Sequence, residues 1–418
     1  MPNFALGQTA PGMADTPSTA RDTVGLTLDE ALREARNANA HLPVAARGVD
    51  IARASVREAR ASRSPSLALT SSVNAGAPLA YTTSQGAAQV VGAATLYDGG
   101  LRRANLNAAG FRLQGAGAGF RVVEKDIDLG VRLWFSEFLR AENEIAFREQ
   151  GIERLRSYLS QVQGRRAAGQ PVGSDLLTTE VRLGTEEAAL TDAKRSLDEA
   201  RLQLNDIMGR ATDAPLSVAA LPSPTLPTTT AGTPWLATPD VLAAEANTAA
   251  TQAAIAATRS ERKPQLQVSA NVGALPVFGK DSGTGPNSGS GMGGAVFLSM
   301  SWPFFDGGVV RARIDRARLE AEQALDSEIV VKRQVRFSSQ LAAAQLTRLY
   351  QQVETWTRNI PRARDAYLQT QSMYAGGAAT ALEVLDAYTS WINANQAYTD
   401  AVVRYRQAEA NYIRWGTP

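Results

Sequence analysis

Apolar and polar residues alternate in four short segments of the chain. The alternation is clearest after Pro264, where Leu266, Val268, Ala270 and Val272 alternate with Gln265, Gln267, Ser269 and Asn271. A period of two residues predicts β-strands with one apolar face and one polar face. The four predicted strands cover residues 65–76, 88–97, 264–275 and 294–305. The connections 77–87 and 276–293 are rich in Gly, Ser and Thr and are predicted to be exposed loops.

Long helical patterns flank the two strand pairs. Thr27 and Glu30 have the capping-box spacing, and the pattern after them predicts one helix that ends near Arg63. After Gly100 a helical pattern continues to about Ala168, roughly 105 Å at 1.5 Å per residue. Its apolar residues recur at alternating spacings of four and three, which is typical of a coiled coil: Ile127, Val131, Trp134, Phe138 and Ala141. Two shorter helices are expected to stack end to end beside each long one.

The chain repeats itself at an interval of 208 residues. Leu96-Tyr97-Asp98-Gly99-Gly100 recurs, with changes, as Trp302-Pro303-Phe304-Phe305-Asp306-Gly307-Gly308. The same interval pairs Gly169 with Gly377, so we expect a tandem duplication. Two glycines directly after a strand permit backbone angles that other residues avoid. Each repeat is therefore predicted to make a sharp strand-to-helix junction at its Asp-Gly-Gly sequence.

These patterns divide the chain into four parts. Residues 1–25 lack periodicity and are predicted to be a flexible N-terminal segment. Residues 26–209 and 241–418 are the two structural repeats, each with a helix, two strands, a long helix and a further helix. Residues 210–240 contain six prolines and are predicted to be the linker between the repeats. The expected fold class is mainly α with membrane β-strands, in a tandem-duplicated protomer.

Composition excludes several classes of function. The net charge of +2, without a strongly basic block, gives no electrostatic footprint for nucleic acid. There is no cysteine and one histidine, His41, so zinc sites, thiol nucleophiles and Ser-His-Asp triads lack a required part. Gly115, Gly117 and Gly119 lie in a helical pattern with no preceding strand, unlike a phosphate-binding loop. We therefore expect no enzyme activity and no cofactor.

Membrane insertion would have to use the strands, since no apolar run of 18 residues is present. Four strands cannot close a barrel, and an open sheet edge is not tolerated in lipid. Three chains would supply twelve strands with an apolar exterior and a polar lumen. Two alternatives stay open: four solvated edge hairpins on a helical protein, and a soluble periplasmic coiled-coil structural or adaptor protein. The second leaves the alternating strands unexplained.

From about residue 26 onward the chain resembles the TolC-type outer-membrane efflux proteins. The resemblance lies in the duplicated aromatic-Asp-Gly-Gly junction and in a paired Gly turn followed by an Asp/Glu-Val/Leu-Leu helix start. It implies a homotrimer with a twelve-stranded barrel in the Gram-negative outer membrane and an α-barrel of long antiparallel helices in the periplasm. It also implies a periplasmic adaptor and an inner-membrane pump of the RND, ABC or MFS type. The implied function is a passive exit duct for a cargo that the sequence does not name.

The resemblance also suggests residues for the periplasmic end of the duct. The family closes its entrance with a Tyr, an Arg and carboxylates, and the matching positions here are Tyr374, Ala379, Glu383 and Asp386, with Ser174 and Asp175 in the first repeat. Ala379 stands where the best-described members have Arg, so a lock that uses that Arg is absent or differently built. Helix capping explains Asp175 equally well. The expected tip turns and adaptor contacts are Gly169, Gly173, Ser174, Gly376 and Gly377. Trp302 is expected in the aromatic girdle at the membrane interface.

Overall fold

A computed structural model describes residues 25–76, 83–169, 175–225, 234–280 and 286–416. The elements in chain order are α1 (Leu28–Ala38), α2 (His41–Ala61), β1 (Ser66–Gly76), β2 (Thr83–Tyr97), α3 (Leu101–Ala167), α4 (Asp175–Ile207), α5 (Pro239–Ser260), β3 (Gln265–Lys280), β4 (Pro286–Ser301), α6 (Val309–Ala375) and α7 (Ala381–Gly416). The predicted mainly α fold with four strands is confirmed. Among the described helices, none combines the length and the apolar character that crossing a membrane requires.

The first helical region consists of two helices, which corrects the prediction of one helix from Thr27 to about Arg63. The predicted capping box is present, because Thr27 N donates to Glu30 Oε2 at 2.9 Å and Glu30 N donates to Thr27 Oγ1 at 3.3 Å. The helix breaks at Asn39, whose Nδ2 donates to the carbonyl of Ile207 at 2.8 Å. Pro43 explains the break, since proline has no N–H for the carbonyl four residues earlier and its ring would clash with it.

The four strands form one antiparallel sheet in the order β1-β2-β3-β4. Several strand ends differ from the predictions: β2 begins at Thr83, β3 continues to Lys280, and β4 runs from Pro286 to Ser301. The segments on both sides of 281–285 that were predicted to be loop are instead paired, from Pro276↔Ser290 to Lys280↔Pro286. Gly and Ser give no alternation signal, but their backbone N–H and C=O groups pair like those of any other residue.

Two helices of 67 residues, α3 and α6, extend from the sheet over about 100 Å. α3 packs against α2 and α5 and, farther along, against α4 and α7, whereas α6 packs against α5 and α7. Ile127, Val131 and Phe138 are buried in the predicted seam. Phe135, which the predicted seam did not include, is also buried there, whereas its neighbour Trp134, which the prediction placed in the seam, is only partly buried. The long helices are therefore covered by successive shorter helices, as the sequence pattern predicted.

The first part of the linker lies on the helices. Leu26 and Val218 form a parallel β-bridge, with Leu26 N donating to Ser217 O and Ala219 N donating to Leu26 O, both at 2.9 Å. Val218 belongs to the core cluster that α1, α3 and α4 build. Tyr405 Oη of α7 donates to Thr225 O at 2.7 Å. These bonds fasten the described part of the linker, up to residue 225, to both repeats.

The end of α7 is joined to α3 and α5 by a buried arginine. The side chain of Arg414 is 2% exposed and donates to both carboxylate oxygens of Asp240, at 2.7 and 3.0 Å. Its Nε donates to Asp126 Oδ1 at 2.7 Å. Asp240 lies in the first turn of α5, where the helix dipole also favours a negative charge.

We expect Arg414→Gln to destabilise the protein by about 3–5 kcal/mol, because it removes the cation that is hydrogen-bonded to both oxygens of the mostly buried Asp240 carboxylate. Urea unfolding of the detergent-folded protein measures the loss, and hydrogen exchange should localise it to the ends of α5 and α7. Arg404→Gln is the matched control, since Arg404 is an exposed arginine of the same helix. Equal losses from the two substitutions would show that Arg414 is not a structural anchor.

Candidate functional site at the sheet, its helix junctions and the far helix ends

One face of the sheet carries exposed apolar side chains. Leu67 is 81% exposed, and the same face includes Leu69, Val90, Val272, Val296, Leu298 and Met300. The register places these residues side by side across all four strands, for example Leu69↔Val90↔Val272. No described helix or loop of the chain covers this face. An apolar surface that continues over four strands needs either lipid or protein against it.

Each long helix begins at an Asp-Gly-Gly junction, and the two junctions have nearly the same backbone. Gly99 and Gly100 have φ of 66° and 96°, and Gly307 and Gly308 have 65° and 92°. Asp98 accepts from the backbone N–H groups of Gly100 and Arg102, both at 3.0 Å. In the second repeat, Asp306 accepts from Gly308 N at 2.9 Å and from Val310 N at 2.7 Å. The carboxylate caps the helix, and the two glycines permit the turn.

Both junction carboxylates are held in the ionised form. Partial burial alone would raise the pKa of Asp98, but the Arg102 N–H, the Arg102 guanidinium and the Gly100 N–H outweigh it and lower the pKa. The Val310 and Gly308 N–H groups lower the pKa of Asp306. A lowered folded-state pKa contributes stability above the unfolded value of about 3.9, and this stability is lost as the pH falls through the folded-state pKa.

The surroundings of the two junctions differ. In the first repeat, Lys263 Nζ and Ser260 Oγ donate to the carbonyl of Gly99, at 2.9 and 3.2 Å. A Cβ on Gly99 would lie 2.7 Å from Lys263 Cβ and 3.1 Å from Ser260 O. In the second repeat, a Cβ on Gly307 would meet nothing within 4 Å. The turn before β3 therefore covers the junction after β2, whereas no described part of the chain covers the junction after β4 in the same way.

Glycine turns end both long helices at the opposite end of the molecule. Gly169 and Gly377 have φ of 76° and 74°. After α6, Ala378 N donates to Met373 O at 2.8 Å and Gly377 N donates to Tyr374 O at 3.1 Å, which is a Schellman motif with Gly376 at the C-cap. The predicted turn residues Gly173 and Ser174 lie outside the described residues.

The predicted entrance residues lie close to these turns. Glu383 closes a second capping box, since Thr380 N donates to Glu383 Oε2 at 2.7 Å and Glu383 N donates to Thr380 Oγ1 at 3.3 Å. Asp386 is exposed one turn along α7, and Asp175 is the first residue of α4. The spacing Thr380-x-x-Glu383 is the sequence signal for this structural role of Glu383.

Tyr374 belongs to an aromatic group that sequence reasoning did not foresee. Its ring contacts that of Tyr158 at 5.7 Å between centroids, and the Arg165 guanidinium lies 4.5 Å from the Tyr374 centroid. Nearby, Tyr367 and Tyr388 pack against Trp391. Burial raises the pKa of Tyr388, so this phenol stays neutral at physiological pH. These contacts join α3 to α6 and α7 just behind the glycine turns. Among the described residues, no group of three or more His, Cys, Asp or Glu could hold a metal ion.

The chain matches the family model described as outer membrane efflux protein over residues 31–210 and 236–413. It belongs to the outer membrane efflux protein family. CzcC, the cobalt-zinc-cadmium resistance protein of Cupriavidus metallidurans, is 26% identical over 99% of this chain and 95% of its own length. The proteases secretion protein PrtF of Dickeya chrysanthemi is 26% identical over 70% of this chain and 64% of its own length. The solved outer-membrane channel OprN has a TM-score of 0.83 at 22% identity, over 99% of this chain and 97% of that one.

The family defines the role of the chain. It is an exit duct of the Gram-negative outer membrane and the outer-membrane component of a tripartite efflux or secretion system. The fold, the localisation and the duct function predicted from sequence are confirmed, so the alternative of a soluble periplasmic coiled-coil protein is set aside. The family consists of channel proteins and not of enzymes.

The two glycines of the first junction should respond differently to the same substitution. Gly100→Ala introduces only the cost of a Cβ at positive φ, about 1–2 kcal/mol, since its nearest neighbour is Ser260 Oγ at 3.9 Å. Gly99→Ala adds a collision with the turn before β3, and we expect a further 1–3 kcal/mol, about the cost of overpacking. Urea unfolding of the two variants, with hydrogen exchange at the start of α3, provides the comparison. Equal losses of stability from Gly99→Ala and Gly100→Ala would contradict the close contact described between Gly99 and the turn before β3.

Proposed function

We propose that three copies of the chain form a passive duct, with a twelve-stranded barrel in the outer membrane and an α-barrel in the periplasm. The main observation that supports this proposal is the four-stranded sheet, whose apolar face is exposed in the single chain. Its outer strands, β1 and β4, have no neighbouring strand on one side among the described residues. Unpaired backbone groups at such edges cost several kcal/mol each in lipid, and two further copies remove them by closing the barrel.

The repeat predicts how β4 of one copy would pair with β1 of the next. Both hairpins have the same register, because Ser66↔Ala93 and Gln265↔Ser301 are corresponding pairs. Within the chain, β2 pairs with β3 through Ala93↔Ser269. Ser301 corresponds to Ala93 and Thr70 corresponds to Ser269. The expected contact is therefore Ser301 opposite Thr70 of the neighbouring copy.

The uncovered second junction supports the same arrangement. The turn before β3 covers the junction after β2, so the turn before β1 of the next copy would cover the junction after β4. The helices repeat the pattern, since α3 lies against α2 of its own repeat and against α5 of the following one. By contrast, α6 lies against α5 of its own repeat, and no described helix takes the position that α5 has beside α3. The α2 helix of the next copy would fill that position.

A cysteine pair tests this register. The natural chain has no cysteine, so Ser301→Cys with Thr70→Cys introduces the only thiols. We expect oxidation to give covalent dimers and trimers on non-reducing gels, because each copy donates one thiol to each neighbour. The control variant combines Ser301→Cys with Ser71→Cys, because the Ser71 side chain lies on the face of β1 opposite to that of Thr70. A monomer-only pattern for Ser301/Thr70, or equal linking by the control pair, contradicts the proposed pairing.

The glycine turns are the proposed adaptor contact and entrance of the duct. Gly169, Gly173, Ser174, Gly376 and Gly377 would shape the surface that meets the periplasmic adaptor. Tyr374, Asp175, Glu383 and Asp386 would line the entrance, and a carboxylate repeated three times around a pore creates a strong negative field that favours cations. Ala379 cannot supply the cation of an arginine lock. Contact with the adaptor, driven by an inner-membrane pump of the RND, ABC or MFS type, would open the entrance.

Single-channel recording in planar bilayers tests the carboxylate ring. We expect Glu383→Gln with Asp386→Asn to reduce the preference for cations severalfold, because it removes six charges from a trimer. Glutamine keeps an acceptor oxygen for Thr380 N, so the helix cap is retained. Glu354→Gln is the control, since Glu354 is an exposed carboxylate of α6 that pairs with Arg358 and does not belong to the proposed ring. Unchanged selectivity in the double variant would show that Glu383 and Asp386 do not line the constriction of the duct.

Trp302 is the proposed anchor at the membrane interface, because it is 58% exposed directly after β4. Outer-membrane lipid would then contact the apolar sheet face. The cargo is set by the pump and the adaptor, in agreement with relatives whose names refer to metal resistance in one case and protease secretion in another.

A further inference from the structure

A cavity of about 240 Å³ lies between α3, α6 and α7, close to the glycine turns. Its lining includes two arginines, Arg154 and Arg364, and no carboxylate. The other lining residues are aromatic or aliphatic, with Tyr158, Tyr367 and Trp391 among them, or uncharged and polar, namely Ser157, Gln161 and Gln371. We propose that this cavity binds a small aromatic carboxylate.

The two arginines supply positive charge that the described residues leave uncompensated. Neither Arg154 nor Arg364 has an ion-pair partner within the described part of the chain. Both side chains are exposed at the rim, where an anion can reach them from solvent. A guanidinium presents paired N–H donors that match the two oxygens of a carboxylate.

The position of Arg154 is fixed before any ligand arrives. Its guanidinium lies 4.5 Å from the centroid of Trp391. Trp391 is itself stacked on Tyr367, with 5.6 Å between the centroids and 13° between the ring planes. A cation held over an aromatic ring loses little further freedom on binding, which favours affinity.

Trp391, one of the residues that line the cavity, also has a polar atom without a partner. The residue is buried, and its indole Nε1 has no hydrogen-bond acceptor among the described residues. Buried donors of this kind are normally satisfied, so they indicate a position for an acceptor atom. Carboxylate oxygens are such acceptors.

The size and the walls restrict the ligand. Cavities for drug-sized ligands have volumes of about 300–1,000 Å³, so this cavity suits a molecule with a single ring. Leu155, Leu368 and Val384 provide apolar surface for that ring. Bound there, the ligand would link α3 of the first repeat to α6 and α7 of the second. The proposal concerns a cavity within one chain and does not depend on how many copies assemble.

Fluorine NMR on the full-length protein in a non-ionic detergent tests the proposal, with 4-fluorobenzoate as the probe. We expect saturable broadening of its signal that unlabelled benzoate reverses and that empty micelles do not produce. The neutral isostere 4-fluorobenzamide should bind at least tenfold more weakly, about 1.4 kcal/mol, because it lacks the charge. Inorganic phosphate should not displace the probe at matched concentration, since it has no ring for the apolar wall.

Arg364→Gln should weaken 4-fluorobenzoate binding at least tenfold. Arg362→Gln removes the same charge two residues away on α6, outside the cavity lining, and should leave binding unchanged. Arg364 is an exposed residue, so its substitution is compatible with folding, and an unchanged thermal unfolding profile without ligand verifies this. Equal binding of benzoate and benzamide, equal displacement by phosphate, or equal affinity of the Arg364→Gln and Arg362→Gln variants overturns the proposal.

Discussion

A backbone in lipid must satisfy every hydrogen bond within protein, and the whole structure follows from this requirement. The described part of each chain has four strands in one open sheet, with β1 and β4 at its edges. The sheet can therefore be stable in the membrane only as part of a larger closed surface. The alternating pattern that makes the sheet apolar on one side also fixes its register, since a shift by one residue would turn every apolar side chain to the other face.

The helical part of the molecule meets a different requirement, because its surroundings are aqueous. Its long helices are stabilised by contact with one another through apolar seams, as around Phe135 and Leu204, and by ion pairs that are shielded from water. Arg148 and Glu186 form such a pair between α3 and α4, at 2.7 Å and with both side chains less than a tenth exposed. A broken pair at this depth would leave an uncompensated charge, so the pair favours one alignment of the two helices.

The sequence predicted the elements whose signals are local and repeated. Asp98 and Asp306 occupy the same place in two copies, and both lie at strand-to-helix junctions, as the repeated Asp-Gly-Gly predicted, whereas their hydrogen bonds to the first helical N–H groups were not predicted. Pro43 is a local signal in the sequence, and it accounts for the break between α1 and α2. The extended ends of β3 and β4 were missed because Gly and Ser carry no alternation. Backbone pairing, and not side-chain pattern, defines those ends.

Contacts between distant parts of the chain could not be predicted. Tyr388 packs its hydroxyl against Gly151, where a Cβ would lie 2.3 Å from the oxygen, and no spacing rule relates these two positions. The stacking of Tyr367 on Trp391 was equally hidden, since both residues fit an ordinary helical pattern. Such contacts depend on how α3 and α7 cross, which is a property of the assembled helices.

The Asp-Gly-Gly junction has a mechanical consequence. A helix of 67 residues that pivots at its first turn is a lever about 100 Å long, so a tilt of one degree moves its far end by roughly 2 Å. Small changes in angle at the membrane surface are thus magnified into changes of aperture at the other end. The carboxylate cap that stiffens this pivot, in both repeats, therefore sets the precision with which the distant helix ends are positioned.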